Sequence, residues 1–181
     1  MNANFKFIPF PVLTTQRLNL RELDFTDDQD IFAHRTDDRV NTYLDGFRHD
    51  HISQSRDFIT RVLKEIDEGI TILWVISRKE SRKFMGTICL WNISKTNLKA
   101  ELGYTLVPEY HNLGYMSEAL ERVLEFGFKV MKLKTIEAFT HQDNAGSIRI
   151  LTKNKFMPDF SLDFTNKKNR VGFTLTNELV F

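Results

Sequence analysis

The sequence holds one cysteine, Cys89, in 181 residues. No disulfide can form within the chain, and a reducing cytoplasm is the expected setting. Four prolines and eight glycines are too few for a collagenous, linker-rich or low-complexity chain. Charge of one sign is also missing, with 25 Lys and Arg against 24 Asp and Glu. That balance argues against a nucleic-acid partner or an anionic membrane surface. No run approaches the roughly 20 apolar residues of a membrane helix, and residues 1–6 carry no charged segment leading into an apolar stretch. Neither a membrane span nor a leader is expected. His49 and His51 have no third ligand spaced nearby, so no metal site is expected. What is present is ordinary globular composition, 41% hydrophobic and 27% charged. The length suits one domain over residues 1–181, with its core at about 14–180.

Periodicity sketches an α/β (α+β) chain. Residues 16–22 alternate polar and apolar, with Leu18 and Leu20 on one face, as a half-buried strand does. Thr26, three residues before Gln29, has capping-box spacing for a helix start. A second helix is predicted over 53–68, with Phe58, Val62 and Ile66 at helical spacing and Gly69 as its stop. β-rich runs at 71–77 and 84–93 flank a charged turn, and a further strand covers 100–107. Residues 114–131 place Met116, Leu120, Val123, Leu124, Gly127 and Val130 on one stripe of a helix. A strand at 135–140, a helix at 144–154 and a closing strand at 171–179 follow. This order predicts a mixed, mostly antiparallel central sheet of about seven strands flanked by helices. Cys89, Trp74, Trp91, Phe126 and Phe128 read as core or cleft wall, and His34 and His141 as surface or strand-end residues.

The most informative run is Pro108-Glu109-Tyr110-His111-Asn112-Leu113-Gly114-Tyr115-Met116-Ser117-Glu118-Ala119. It sets a short loop between a strand end and an amphipathic helix, whose first turn offers unpaired N–H groups and the positive pole of the macrodipole to an anion. Gly114 lets the backbone approach closely, and Asn112 tolerates a left-handed conformation. The run resembles the coenzyme A pyrophosphate loop of the GNAT superfamily, Gln/Arg-x-x-Gly-x-Gly/Ala, which falls on His111, Gly114 and Met116. Further landmarks are similar to the RimJ/RimL branch: Thr15-Gln16-Arg17-Leu18-Asn19-Leu20-Arg21, Met85-Gly86-Thr87-Ile88, Ala100-Glu101-Leu102-Gly103-Tyr104, and Asn144-Ala145-Gly146-Ser147-Ile148-Arg149-Ile150-Leu151. The likeness spans about residues 14–180. Three departures stand out. His111, Asn112 and Leu113 replace the usual Trp, Gly and Lys or Arg, so the loop brings no cation of its own. Lys155 replaces a helix-ending glycine, which predicts left-handed strain or a different terminus. Thr152 stands where many members place a tyrosine general acid.

The resemblance implies the GNAT fold and an N-acetyltransferase using acetyl-coenzyme A, with no metal. The acceptor would be an amine, on a protein N-terminus or a small molecule, attacking directly in a ternary complex. Glu101 would take the amine's proton and Ser147 would meet the departing thiolate. The cofactor-binding set would be the backbone of Thr105, Leu106 and Val107, the loop residues His111, Asn112, Leu113, Gly114, Tyr115, Met116 and Ser117, and Asn144 with Ser147. An acceptor region is expected at Tyr43, Asp45, Phe47 and Asp50. Dimers are common in this branch, so a homodimer is one option. Two alternatives stay open: a non-catalytic acyl-coenzyme A sensor or assembly protein, and a polyamine or aminoglycoside acetyltransferase.

Overall fold

The computed structural model describes residues 5–46, 48–162 and 169–177. The chain enters through β1 (Leu13–Thr14) and β2 (Leu18–Glu22), then three helices, α1 (Asp28–Thr36), α2 (Asp38–Asn41) and α3 (Ile52–Asp67). It returns as β3 (Ile72–Arg78), β4 (Phe84–Ser94) and β5 (Lys99–Leu106). Helix α4 (Tyr115–Glu125), β6 (Thr135–His141), α5 (Ala145–Lys153), β7 (Met157–Pro158) and β8 (Arg170–Thr176) complete the order. The strands form one sheet, β1-β2-β3-β4-β5-β6-β8-β7. Every neighbouring pair is antiparallel except β5 and β6. The mixed, mostly antiparallel sheet is thus as predicted, with eight strands rather than about seven. The two-residue pieces β1 and β7 are too short to show alternation.

Burial explains the elements. β3 is buried along all but its last residue, which accounts for its unbroken apolar run Ile72-Leu73-Trp74-Val75-Ile76. Helix α3 buries Phe58, Ile59, Val62 and Ile66 on one stripe. Helix α4 buries Met116, Ala119, Leu120, Val123 and Leu124. The expected helix over 114–131 is in fact two pieces, because α4 ends at Glu125 and Phe126–Val130 form a π-helical turn. Gly127 in that turn lets the backbone lie against the sheet. A Cβ there would stand 3.1 Å from Ile136 Cδ1 and 3.3 Å from Leu90 Cδ1. Lys155 does adopt a left-handed φ of 65°. Trp91 departs from the expected core placement, with 41% of its surface exposed.

The start of the first helix also differs from expectation. Asp24, not Thr26, caps a 3-10 turn at Phe25–Asp27, and the Asp27 side chain accepts from the Asp24 N–H at 3.0 Å. Asp27 is held there by Arg21 of β2, through a fork of 2.8 and 2.6 Å. These side chains are only 10% and 3% exposed, so the pair welds the first helix to the sheet. Removing one partner leaves a buried charge unpaired, which costs about 3–5 kcal/mol. Asp27→Ala should therefore lower the unfolding free energy by about that amount in urea. The apolar double variant Arg21→Met/Asp27→Leu should recover most of it. A loss below 1 kcal/mol in the single variant would contradict this role.

Candidate active site

The parallel ladder between β5 and β6 runs from Lys99↔Thr135 to Leu102↔Ala138 and stops there. Both strands continue, β5 to Leu106 and β6 to His141, so the sheet opens into a V at its centre. Backbone groups alternate sides along a strand. The Val107 N–H donates to Met85 O of β4 at 2.8 Å, so Leu106 and Tyr104 turn their backbone groups toward the V. This corrects the expectation that Thr105, Leu106 and Val107 all offer backbone to a ligand. The Val107 amide, and by alternation that of Thr105, belong to the β4 ladder. The Leu106 carbonyl accepts from His111 Nε2 at 2.9 Å, which fixes that nitrogen as the protonated one.

The loop after β5 begins with a 3-10 turn at Pro108–Tyr110. Asn112 follows with φ 59° and Gly114 with φ 81°, the left-handed pair that turns the chain into α4. Gly114 is the N-cap and has no side chain to offer, so no side-chain cap covers the first turn. The first intrahelical bond runs from Glu118 N–H to Gly114 O at 3.1 Å. The N–H groups of Tyr115, Met116 and Ser117 precede it and project from the helix end. Leu113 is 52% exposed and brings no charge. A cation nevertheless stands beside the loop. Arg17 donates to Leu113 O at 3.1 Å and to Glu118 Oε2 at 2.6 Å, and its guanidinium lies 4.3 Å over the Tyr115 ring. Its Nη2 is 3.4 Å from where a Gly114 Cβ would be.

V and loop open into one cleft of about 570 Å³. Of the expected residues it brings together Tyr43, Thr105, Leu106, His111, Asn112, Gly114, Tyr115, Met116, Ser117, Asn144 and Ser147. Asn144 caps α5, its Oδ1 accepting from the Ser147 N–H at 3.0 Å. Ser147 Oγ lies 2.8 Å from the Tyr104 hydroxyl. Thr152 donates back to Ile148 O at 2.9 Å and reaches nothing in the cleft. Val107, Leu113, Glu101, Asp45 and Asp50 do not line it. Asp45 pairs with Arg170 at 3.1 Å, while Asp50 is exposed, its backbone N–H donating to Gln54. Phe47 lies outside the described residues. Sequence reasoning missed Arg39, Tyr104, Tyr110, Gly146, Arg149 and Ile150 as lining residues. Tyr104 was within reach, because it closes the Ala-Glu-Leu-Gly-Tyr motif.

Glu101 sits on the other face of β5. Strand partners share a face, so Glu101 lies with Trp91 of β4 and Glu137 of β6. Thr105 is on that face too, bonded to His34 Nε2 of α1 at 2.9 Å. Tyr104 is on the opposite face with Leu102 and Leu106. Glu101 and the Tyr104–Ser147 pair thus lie on opposite faces of β5, with Glu101 in the part of the strand still paired with β6.

The Acetyltransferase (GNAT) domain family matches residues 17–157 of this chain. The chain belongs to that family. It is 32% identical over 150 residues to the N-acetyltransferase YoaA of Bacillus subtilis, covering 83% of this chain and 85% of the relative. RimJ of Mycobacterium smegmatis, solved with CoA-disulfide, shares the fold with a TM-score of 0.83 at 17% identity, covering 94% of this chain and 89% of that one. RimL, the ribosomal L7/L12 alpha-N-protein acetyltransferase, superposes with a TM-score of 0.81 at 14% identity, covering 92% and 98%.

This N-acetyltransferase holds its buried histidines neutral. His34, expected at the surface, is only 4% exposed. Burial, with Arg35 beside it, pushes its pKa down to about 4. His49 is likewise down at about 4, from burial and Arg35. Arg35 Nη1 lies 3.2 Å from His49 Nε2, and a guanidinium only donates, so Nδ1 carries the proton and donates to Ser55 Oγ at 2.9 Å. Burial pushes the Cys89 thiol up to about 12, which leaves it unreactive. Among the described residues no helix is long and apolar enough to cross a membrane, and no group of three or more His, Cys, Asp or Glu could hold a metal ion.

The histidines set a pH dependence. Unfolded His34 takes a proton near 6.5 and the folded one only near 4, so the unfolded state binds more protons between those values. Stability is therefore full above pH 6.5 and lost as pH falls toward 4, by about 3 kcal/mol from His34. Urea unfolding at several pH values should show this slope, and it should be shallower in His34→Gln. A flat wild-type curve from 6.5 to 4 would refute it.

Proposed function

We propose that this N-acetyltransferase moves the acetyl group of acetyl-coenzyme A directly to a primary amine, with a protein N-terminus as the favoured acceptor. The observation that carries this reading is the V between β5 and β6, opening at the uncapped N-terminus of α4. An extended thioester arm needs backbone partners, and the outward N–H groups of Leu106 and Tyr104 offer them as a strand edge does. A diphosphate needs converging N–H donors, and the first turn of α4 offers them, with Arg17 adding positive charge nearby. The cleft volume is in the range of small-molecule sites. Asn144 borders the arm's path through the same cleft.

In this proposal Glu101 takes the proton of the attacking amine. An N-terminal α-ammonium with a pKa of about 8 is mostly protonated at neutral pH and cannot attack until it loses that proton. The amine nitrogen bonds to the acyl carbon, the carbon–sulphur bond breaks, and the sulphur leaves on the Ser147 side. Attack from one face of the sheet and departure toward the other keep nucleophile and leaving group apart. Holding both reactants in place supplies much of the rate.

Charge in the cleft bears on the acceptor. Among the described residues the cleft is lined by Arg39, Arg149 and His111 and by no carboxylate. Asp45, the acid best placed to hold a polycation, is already paired with Arg170. That disfavours polyamines and aminoglycosides and favours an acceptor with one positive charge. The region of Tyr43, Asp45, Phe47 and Asp50 remains the proposed acceptor entrance, with the Tyr43 ring set 5.5 Å from that of His141. The names of RimL and of a Vibrio fischeri ribosomal-protein-S5-alanine acetyltransferase, similar in fold, agree with an N-terminal acceptor.

Two measurements test the proposal. Acetyl-coenzyme A offered with pooled N-terminal peptides, polyamines and aminoglycosides should give acetylated peptide by mass analysis, and acetylation of polyamines alone would overturn the acceptor assignment. Glu101→Gln should lower kcat about 100-fold, most steeply at low pH, with coenzyme A affinity nearly unchanged. An unaltered pH–rate profile would remove Glu101 from the mechanism.

A further inference from the structure

Tyr104 and Ser147 reach the cleft from different elements, β5 and α5, and their hydroxyl oxygens lie 2.8 Å apart. A serine hydroxyl has one proton, two lone pairs and a freely turning bond. Left alone in a cleft it points wherever water allows, and a single neighbour that donates to its oxygen fixes where its own proton can go. We propose that Tyr104 is a positioning residue for Ser147: its phenol donates to Ser147 Oγ and so turns the Ser147 proton into the cleft, toward the departing sulphur. The inference rests on the acetyl-transfer reading above, in which Ser147 faces that sulphur.

Geometry favours this direction of the bond. If Ser147 donated to the phenol, the phenol's own proton would be left with Ser147 O at 3.5 Å, a poor bond. With the phenol as donor, its proton has a partner at 2.8 Å and the serine proton is the one turned outward. The ring is well anchored for the task, since Tyr104 packs against the hydrophobic core. The Asn144 cap at 3.0 Å fixes the Ser147 backbone from the other side.

The phenol acts as a fixed donor rather than as the source of the proton. Burial pushes it up to about 12, against the opposing bond to Ser147. A departing thiolate with an ordinary thiol value of about 8.5 cannot strip it. Tyr104 therefore keeps its proton through the cycle. The family's usual tyrosine position is here Thr152, whose hydroxyl is spent on its own helix. Tyr104 does not replace that acid; it orients the serine hydroxyl that meets the sulphur.

The test uses coenzyme A itself and needs no acceptor. The thiol of coenzyme A bound to the full chain is titrated by ultraviolet thiolate absorbance in the wild type, Tyr104→Phe, Ser147→Ala and the double variant. The other ionisable groups lining the cleft, Arg39, His111, Arg149, Tyr43, Tyr110 and Tyr115, are common to all four. In the wild type the bound thiol should ionise at lower pH than free coenzyme A. Each single variant should reduce the thiolate present at a given pH about tenfold, as expected for the loss of one hydrogen bond to a charged group. The double variant should do no more than either single one, with coenzyme A affinity within a few-fold in all four at pH values where the thiol is protonated. Phenylalanine keeps the ring, so packing is retained, and unfolding midpoints verify it. If Ser147→Ala raises the thiol value and Tyr104→Phe does not, the positioning role fails while the Ser147 assignment stands. If the two effects add, Tyr104 acts independently and the proposal is overturned. If Ser147→Ala changes nothing, the Ser147 assignment itself fails and the proposal with it.

Discussion

The hydrogen-bond ladder between β5 and β6 holds for four residue pairs and then ends, and the site is organised around that break. Backbone N–H and C=O groups inside a sheet almost always find partners, so a break at the centre of the sheet is costly unless something serves the freed groups. On β5 the Val107 amide turns to β4 and His111 serves the Leu106 carbonyl. On β6 the strand keeps its other neighbour, β8, through His141↔Arg170. Each strand thus stays anchored on its outer side while the inner sides part. The opening is a built-in gap in an otherwise continuous sheet, ready for an extended ligand to pair along.

The rest of the molecule holds that gap open. Helix α4 covers one face, and close packing at Gly127 brings its C-terminal extension onto Ile136 and Leu90. Its N-terminus is pinned by Arg17, which links Leu113, Tyr115 and Glu118 to the entry of β2. On the other face α1 bonds to β5 through His34 and Thr105 and is welded to β2 through Arg21 and Asp27. The strand that lines the V is therefore held from both faces by elements that meet at β2. The proposed base Glu101 and the Tyr104–Ser147 hydroxyl pair lie on opposite faces of that strand.

Much of this was legible in the sequence, and the failures have physical causes. Long periodic segments such as α3 and α4 declared themselves, because a buried stripe must recur every three or four residues. The motif Ala100-Glu101-Leu102-Gly103-Tyr104 located β5, and the loop around Gly114 located the start of α4. The two-residue strands β1 and β7 carry no period to detect. The first helix was misplaced because Thr26 and Gln29 mimic a cap, whereas Asp27 is fixed by Arg21, a tertiary contact invisible to local pattern. His34 read as a surface residue because its partner Thr105 lies 71 positions away. Arg17 escaped notice as the loop's cation for the same reason: loop and arginine lie 96 residues apart. Within the site, the motifs identified which residues would be near, while the direction of each backbone group needed the register. That is why Val107 was wrongly expected to face the ligand.

The central claim is that the freed edge of β5 receives coenzyme A. Residue-resolved amide hydrogen exchange, with and without saturating coenzyme A, tests it most directly. The account predicts strong new protection at Tyr104, Leu106, Met116 and Ser117, with Val107 already protected in the free protein. Binding that protects none of the β5 amides, or no binding at millimolar coenzyme A, would contradict it.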